Sequence, residues 1–169
     1  VSPSTIDWFE GVAASTQRAV AVGDYGAIYT TATGTNWARV TSGTTEWLRG
    51  VAYGAGAFVA VGENGVILRS PAGQTWTRIT SGTTAHLNRV RYQDVGPGRF
   101  VAVGDGGVAL SSTNGGLAWP TLVTGATNDL LDVALNNVGT LLVGDEELRY
   151  QPVGGLGWTN QIDLFPTNG

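Results

Sequence analysis

The 169-residue chain is 42% apolar and only 13% charged, so it can bury a core, and its 26 glycines beside 6 prolines speak for many tight turns. It has no cysteine and a single histidine, which excludes disulfides, a thiolate nucleophile and a zinc site built from His or Cys within one chain. The net charge is −4, all nine cations are arginine, and neither a basic run for nucleic acid nor an apolar stretch of membrane-spanning length is present.

The chain opens on the polar Val1-Ser2-Pro3-Ser4-Thr5, in which no signal peptide is visible. Beyond it the sequence repeats itself. Val-Gly-acid occurs at Val22-Gly23-Asp24, Val61-Gly62-Glu63, Val103-Gly104-Asp105 and Val143-Gly144-Asp145, with glycines 39, 42 and 40 residues apart. Trp37, Trp76, Trp119 and Trp158 keep the same beat, at steps of 39, 43 and 39. Units therefore start near Trp8, Trp47, Leu87 and Leu130, giving repeats of about 8–46, 47–86, 87–129 and 130–169 within one domain.

The second unit shows the elements best. Residues 48–53 read as a first strand, 54–56 as a turn, and 58–61 (Phe-Val-Ala-Val) as a strand covered on both faces. A turn at 63–65 follows, where Asn64-Gly65 supplies the positive φ of a hairpin. Residues 66–70 are the third strand and 76–79 the fourth. No segment carries a capped 3.6-residue period, so the chain is expected to be all-β. Four strands in about 40 residues is the period of a β-propeller blade, a unit that must stack on its neighbours. Four such blades form either a small closed ring or half of a larger one. The repeated Val, Phe, Ile and Trp positions are then core between blades.

Two motifs carry a family resemblance. Val61-Gly62-Glu63-Asn64-Gly65-Val66-Ile67 follows one repeat pattern, and Ser112-Thr113-Asn114-Gly115-Gly116-Leu117-Ala118-Trp119 follows an Asp-box, with Asn114 in the Asp position. The stretch from Ser70 to Trp76 is a shortened copy, and 30–37 and 151–158 keep little beyond Gly and Trp. The chain resembles the BNR or Asp-box propellers, and more closely the Ycf48-like branch of photosystem II assembly factors. The resemblance implies a propeller, a setting outside the cell or in its envelope, and no cofactor. In that branch an arginine patch is expected, for which Arg49, Arg89 and Arg91 are the counterparts here.

In a four-stranded meander, the turn between strands two and three shares one end of the blade with the loop to the next blade. That end is the usual ligand side of a propeller, and the Asp-box turns lie opposite. It carries Asp24, Tyr25, Glu63, Asn64, Asp105 and Asp145, with Trp8 and Trp47 at the starts of the first two blades. The acids read either as a rim for a cation or sugar or, more simply, as turn residues beside Gly. The two tryptophans suit sugar stacking, although core is the preferred reading. Glu10, Arg49, Arg89 and Asp132 align at one position of the four first strands, with Arg91 nearby. They are read as ion pairs that fix blade order, ahead of a charged pocket for a polar ligand. Asp145-Glu146-Glu147 adjoin but lack the spacing of a Ca²⁺ loop, so no metal is assigned.

The expected function is non-catalytic recognition of a protein or glycan through this loop end. A glycan-processing enzyme of the sialidase kind is one alternative, but no Arg-Ile-Pro opening motif and no assignable Tyr–Glu pair are found. His86 near Ser81 makes no triad. Another alternative is an assembly factor for a membrane-protein complex. Residues 1–7 align with 40–46 and read as the tail of a fourth strand, either a seam or the remnant of a preceding blade. The chain is therefore expected to pair with itself, or with further sequence, to complete a larger ring.

Overall fold

The structure, a computed structural model, describes residues 7–161. The expected seam at 1–7 therefore falls, except for Asp7, outside the described residues, as does the part of the last expected repeat beyond Gln161. The chain forms four antiparallel sheets with strands in sequence order. The first contains β1 (Phe9–Ala14), β2 (Ala19–Gly23), β3 (Ile28–Thr31) and β4 (Ala38–Val40). The second contains β5 (Leu48–Gly54), β6 (Ala57–Gly62), β7 (Ile67–Ser70) and β8 (Thr77–Ile79). The third has β9 (Leu87–Gln93), β10 (Arg99–Gly104) and β11 (Ala109–Ser112), and the fourth β12 (Leu130–Leu135), β13 (Gly139–Gly144), β14 (Glu147–Pro152) and β15 (Thr159–Asn160). Among the described residues no helix is long and apolar enough to cross a membrane.

The third sheet departs from the four-strand expectation. After β11 only an isolated bridge joins Leu110 to Thr121. Pro120 explains the loss: it has no N–H to give to a ladder, and it leaves one bond from Ser111 N to its own carbonyl.

The innermost strands β1, β5, β9 and β12 stand side by side in that order, while β12 does not pack back on β1. The four sheets thus form an open arc, and the closed four-bladed ring is set aside. Each junction has one apolar cluster. Val20, Val22 and Ile28 of the first sheet meet Leu48, Val51, Phe58, Leu68 and Trp76 of the second. Val59, Val61 and Ile67 meet Leu87, Val90, Phe100, Leu110 and Trp119 in the next. Val101, Val103 and Ala109 meet Leu130, Val133 and Leu142 in the last. The first three sheets thus turn a Val-rich face forward, and the second and third turn a bulkier, aromatic-bearing face back. Trp37 corrects the expectation that all four repeat tryptophans are core. It is 42% exposed, against 9% for Trp76 and 6% for Trp119, because among the described residues no sheet packs on that face of its own.

The Val-Gly-acid repeat has a steric cause. A Cβ on Gly23, Gly62, Gly104 or Gly144 would overlap the carbonyl oxygen of Trp8, Trp47, His86 or Asp129 respectively. The N–H of the acid that follows each glycine donates to that same carbonyl, at 2.9–3.0 Å. The next residue then turns through positive φ, as at Tyr25 (47°), Asn64 (52°) and Glu146 (51°). The motif is a clasp between the second-to-third-strand turn and the start of the first strand.

Candidate recognition surface

At that clasp every first strand carries a β-bulge. Pairing jumps between Phe9 and Gly11, between Leu48 and Gly50, opposite Val103/Gly104 in β9, and between Leu130 and Asp132. The extra residues are Glu10, Arg49, Asn88 and Leu131. A bulge re-aims its side chain out of the ladder. This corrects the expected equivalence of Glu10, Arg49, Arg89 and Asp132. Arg89 pairs with Val103 and Asp132 with Val143, the register held by Gly11 and Gly50 in the first two sheets. The alignment slipped because His86 and Asp129, not Leu87 and Leu130, stand in the places of Trp8 and Trp47.

The re-aimed side chains link the sheets. Arg49 donates from Nη2 to Glu63 Oε1 at 2.9 Å and from Nη1 to Asn88 Oδ1 at 2.6 Å. Asn88 Nδ2 donates onward to Asp105 Oδ1 at 2.8 Å and to the carbonyl of Leu130 at 3.0 Å. A relay Glu63–Arg49–Asn88–Asp105 therefore runs across the second and third sheets and reaches the fourth. Asn88 was missed in the sequence. Its signal was a polar residue at the place of Glu10 and Arg49, visible once the units are aligned on His86. Arg91 and Arg89 converge on Asp132, at 3.1 and 3.7 Å. Glu10 stays exposed on β1, outside this network.

The turn acids do not form a rim. Asp24 is buried, and its Oδ1 accepts the Trp8 N–H at 2.9 Å. Glu63 and Asp105 face their own first strands through Arg49 and Asn88. Asp145 is exposed, whereas Glu147 is buried and accepts from Arg149 Nε at 2.6 Å and from the Thr127 N–H at 3.0 Å. The Arg149 guanidinium holds the Glu147 carboxyl below its ordinary value, against the opposing effect of burial. Glu147 is buried while Asp145 and Glu146 are exposed, and among the described residues no three His, Asp or Glu side chains come together for a metal.

The aromatic residues behave otherwise than expected. Trp8 is 69% and Tyr25 68% exposed, and Trp47 is exposed as well, so the preferred core reading of Trp8 and Trp47 is overturned. One hydrogen-bonded frame joins them: Asp24 binds Trp8 through both its carboxylate and its N–H, and the Gly26 N–H donates to the carbonyl of Glu46, next to Trp47. The matching place in the second sheet is polar, with the Asn64 N–H donating to His86 Nδ1 at 3.0 Å and Asn64 Nδ2 to Glu46 Oε2 at 2.8 Å. At the opposite end, Asn114 Oδ1 accepts the N–H groups of Leu117 and Ala118, at 3.2 and 3.0 Å, and Trp119 Nε1 donates to the Gly116 carbonyl at 3.1 Å. That turn spends its polar groups on its own closure.

Radial meanders of three or four strands, inner strands in ring order and one apolar cluster per junction define an arc of a β-propeller. Among solved structures the fold is similar to Ycf48 bound to D1 peptide, with a TM-score of 0.75 and 15% identity over 97% of this chain and 58% of that one. It is also similar to Ycf48 from Cyanidioschyzon merolae (TM-score 0.71, 16% identity, 95% and 58% covered) and to the WD40 β-propeller domain of Doa1 (TM-score 0.70, 13% identity, 94% and 55% covered). The chain thus spans somewhat over half the length of each of these propellers. No family model matches the sequence, and no curated protein does.

Proposed function

We propose that the chain is a non-catalytic recognition scaffold that holds a protein segment at the end of the arc bearing the acid turns. The observation that carries this reading is the exposed aromatic group Trp8, Tyr25 and Trp47, fixed on one backbone frame. Exposed tryptophan and tyrosine on a rigid frame give large contact area at little cost in side-chain entropy, which is why interfaces concentrate them. Beside them Glu63, Arg49 and Asp105 are engaged in the relay between sheets, so they order the platform. The Ycf48 propeller that this fold resembles is bound to D1 peptide, which supports a peptide-like segment as the ligand class.

The test is site-specific photo-crosslinking in extracts of the source cells. A crosslinker at Tyr25 should capture a discrete protein, one at Asn114 on the opposite end should not, and Trp8→Ala with Trp47→Ala should abolish the capture. Equal capture from both ends, or glycan-array binding without any protein adduct, defeats the proposal.

A further inference from the structure

A cleft of about 310 Å³ lies at the end opposite the acid turns, between the third and fourth sheets, and is lined by Arg99, Gln93, Thr140, the 95–98 loop and the 152–155 turn. The repeat explains why it exists. The residue paired with Ser70 in the second sheet is Phe58, and its counterpart paired with Ser112 in the third is Phe100. Both rings are fully buried in their junctions. The same register in the fourth sheet holds Thr140, paired with Gln151. A threonine where two sheets use phenylalanine leaves the volume of a ring unfilled.

Into that volume comes Arg99, at the start of β10. Its Nε donates to Gln93 Oε1 at 3.0 Å and its Nη2 to Thr140 Oγ1. Both partners are neutral, and Gln93 is itself buried and spends its amide on the Asn136 carbonyl. No carboxylate among the described residues forms an ion pair with Arg99; Arg49, Arg89, Arg91 and Arg149 have one, while Arg18 and Arg69, like Arg99, bond to neutral oxygens, and of these three Arg99 lines the cleft. A half-buried guanidinium without a counter-charge gains from an anion, and its planar fork suits a carboxylate. Burial alone pulls the Arg99 value below that of an ordinary arginine, a cost that a bound anion offsets. The wall also carries the aliphatic Val95, Pro97, Pro152 and Val153, beside Thr113 and Gln151.

We propose that this cleft is a binding site for a carboxylate on a short apolar stem, with Arg99 as the anion-holding group and the gap between the 95–98 loop and the 152–155 turn receiving the stem. It is separate from Arg49, Arg89 and Arg91 and from the aromatic end. The carboxylate belongs either to a small organic acid or to the C-terminus of a peptide, and two probes separate these sources.

The experiment titrates the ¹⁵N-labelled chain with isovalerate and with N-acetyl-Gly-Leu, using N-acetyl-Gly-Leu amide as the uncharged control. Expected are saturable shifts of the amides of Gly96, Gly98 and Gly154 with a dissociation constant on the order of 1 mM, and none with the amide probe. Tighter binding of the peptide acid assigns the site to a chain terminus, and tighter binding of isovalerate to a small acid. Arg99→Gln removes the cation and Thr140→Phe refills the space as the second and third sheets do. Each should weaken binding at least tenfold, with spectral dispersion retained. Equal shifts from acid and amide on the unaltered chain overturn the proposal whether or not the variants fold. So does an absence of saturation by either acid, or unchanged affinity in a folded Arg99→Gln variant.

Discussion

Val12 and Val51 occupy the same register position in adjoining sheets, paired with Ala21 and Ala60, yet Val12 is 70% exposed and Val51 only 7%. The side chain, the strand and the cross-strand partner are the same; only the presence of a preceding sheet differs. Val51→Ala should therefore lower stability by about 1.5–3 kcal/mol, and Val12→Ala by less than about 0.5 kcal/mol. Trp76 and Trp37 repeat the contrast, with about 3–5 kcal/mol lost in Trp76→Ala and far less in Trp37→Ala. Urea denaturation of the four variants measures it, and equal losses within either pair would show that the first sheet is covered in solution.

Gly62→Ala tests the clasp. Gly62 has an extended backbone (φ −171°), so alanine meets no conformational penalty there. The obstacle is the Trp47 carbonyl, into which the new methyl would project. A loss of about 3 kcal/mol or more is expected, at the upper end of overpacking costs because the obstacle is backbone. Gly56→Ala is the contrasting control, since its φ of +72° costs conformational energy while nothing lies within 4 Å of the added carbon. The mutant at 62 should lose the shift signature of residues 47–49, and the mutant at 56 should keep it.

Asn88 should matter more to stability than the arginine it serves. It is buried and joins Arg49, Asp105 and the Leu130 carbonyl, so Asn88→Ala leaves several polar groups short of partners. A loss of about 1–3 kcal/mol is expected. Arg49→Ala takes away a partly exposed ion pair and should cost under about 1 kcal/mol. A double-mutant cycle in thermal or urea unfolding reads both terms. A larger loss from Arg49→Ala would mean that the relay is organised around the cation.

Glu147 gives the chain an acid-side pH dependence. Its carboxyl titrates lower in the folded state than in the unfolded chain, chiefly through the Arg149 hydrogen bond. The unfolded state thus binds the proton first as pH falls. The stabilisation is fully present above the unfolded carboxylate value, and it is lost as pH falls through the depressed folded value, in the region below about pH 4.5. Glu147→Gln should flatten the stability profile between about pH 5 and pH 2.5 and should free the backbone at Thr127. Parallel profiles for the two proteins over that range would contradict the assignment.

The blade order was readable because its markers are imposed by backbone geometry. Gly62 cannot carry a side chain beneath the Trp47 carbonyl, and Asn64 must adopt positive φ, so both constraints recur in the sequence wherever the turn recurs. The bulge left no such mark, since any residue can stand unpaired in a strand, as Glu10, Arg49, Asn88 and Leu131 do. Exposure of Trp8 and Trp37 was illegible for another reason: burial depends on the neighbouring sheet, about which a residue's own segment says nothing. Arg99 went unnoticed because its importance comes from an absence two strands away, where Thr140 replaces the phenylalanine of the earlier repeats.

The two faces of every sheet are unlike, and that difference gives the arc a polarity. At its first end it shows the back-facing set, Phe9, Val12 and Trp37; at its last end it shows the forward-facing set that includes Val143. A two-fold axis lying across the ring would bring one of these surfaces against itself, whereas a two-fold along the ring axis brings the first end of each arc against the last end of the other. Addition around the ring axis, last end onto first end, matches each surface with the kind it meets inside the molecule. Whatever covers these ends, whether more of the same polypeptide or another chain, is bound by a directional rule comparable to that of a polymer with distinct growing and terminal ends.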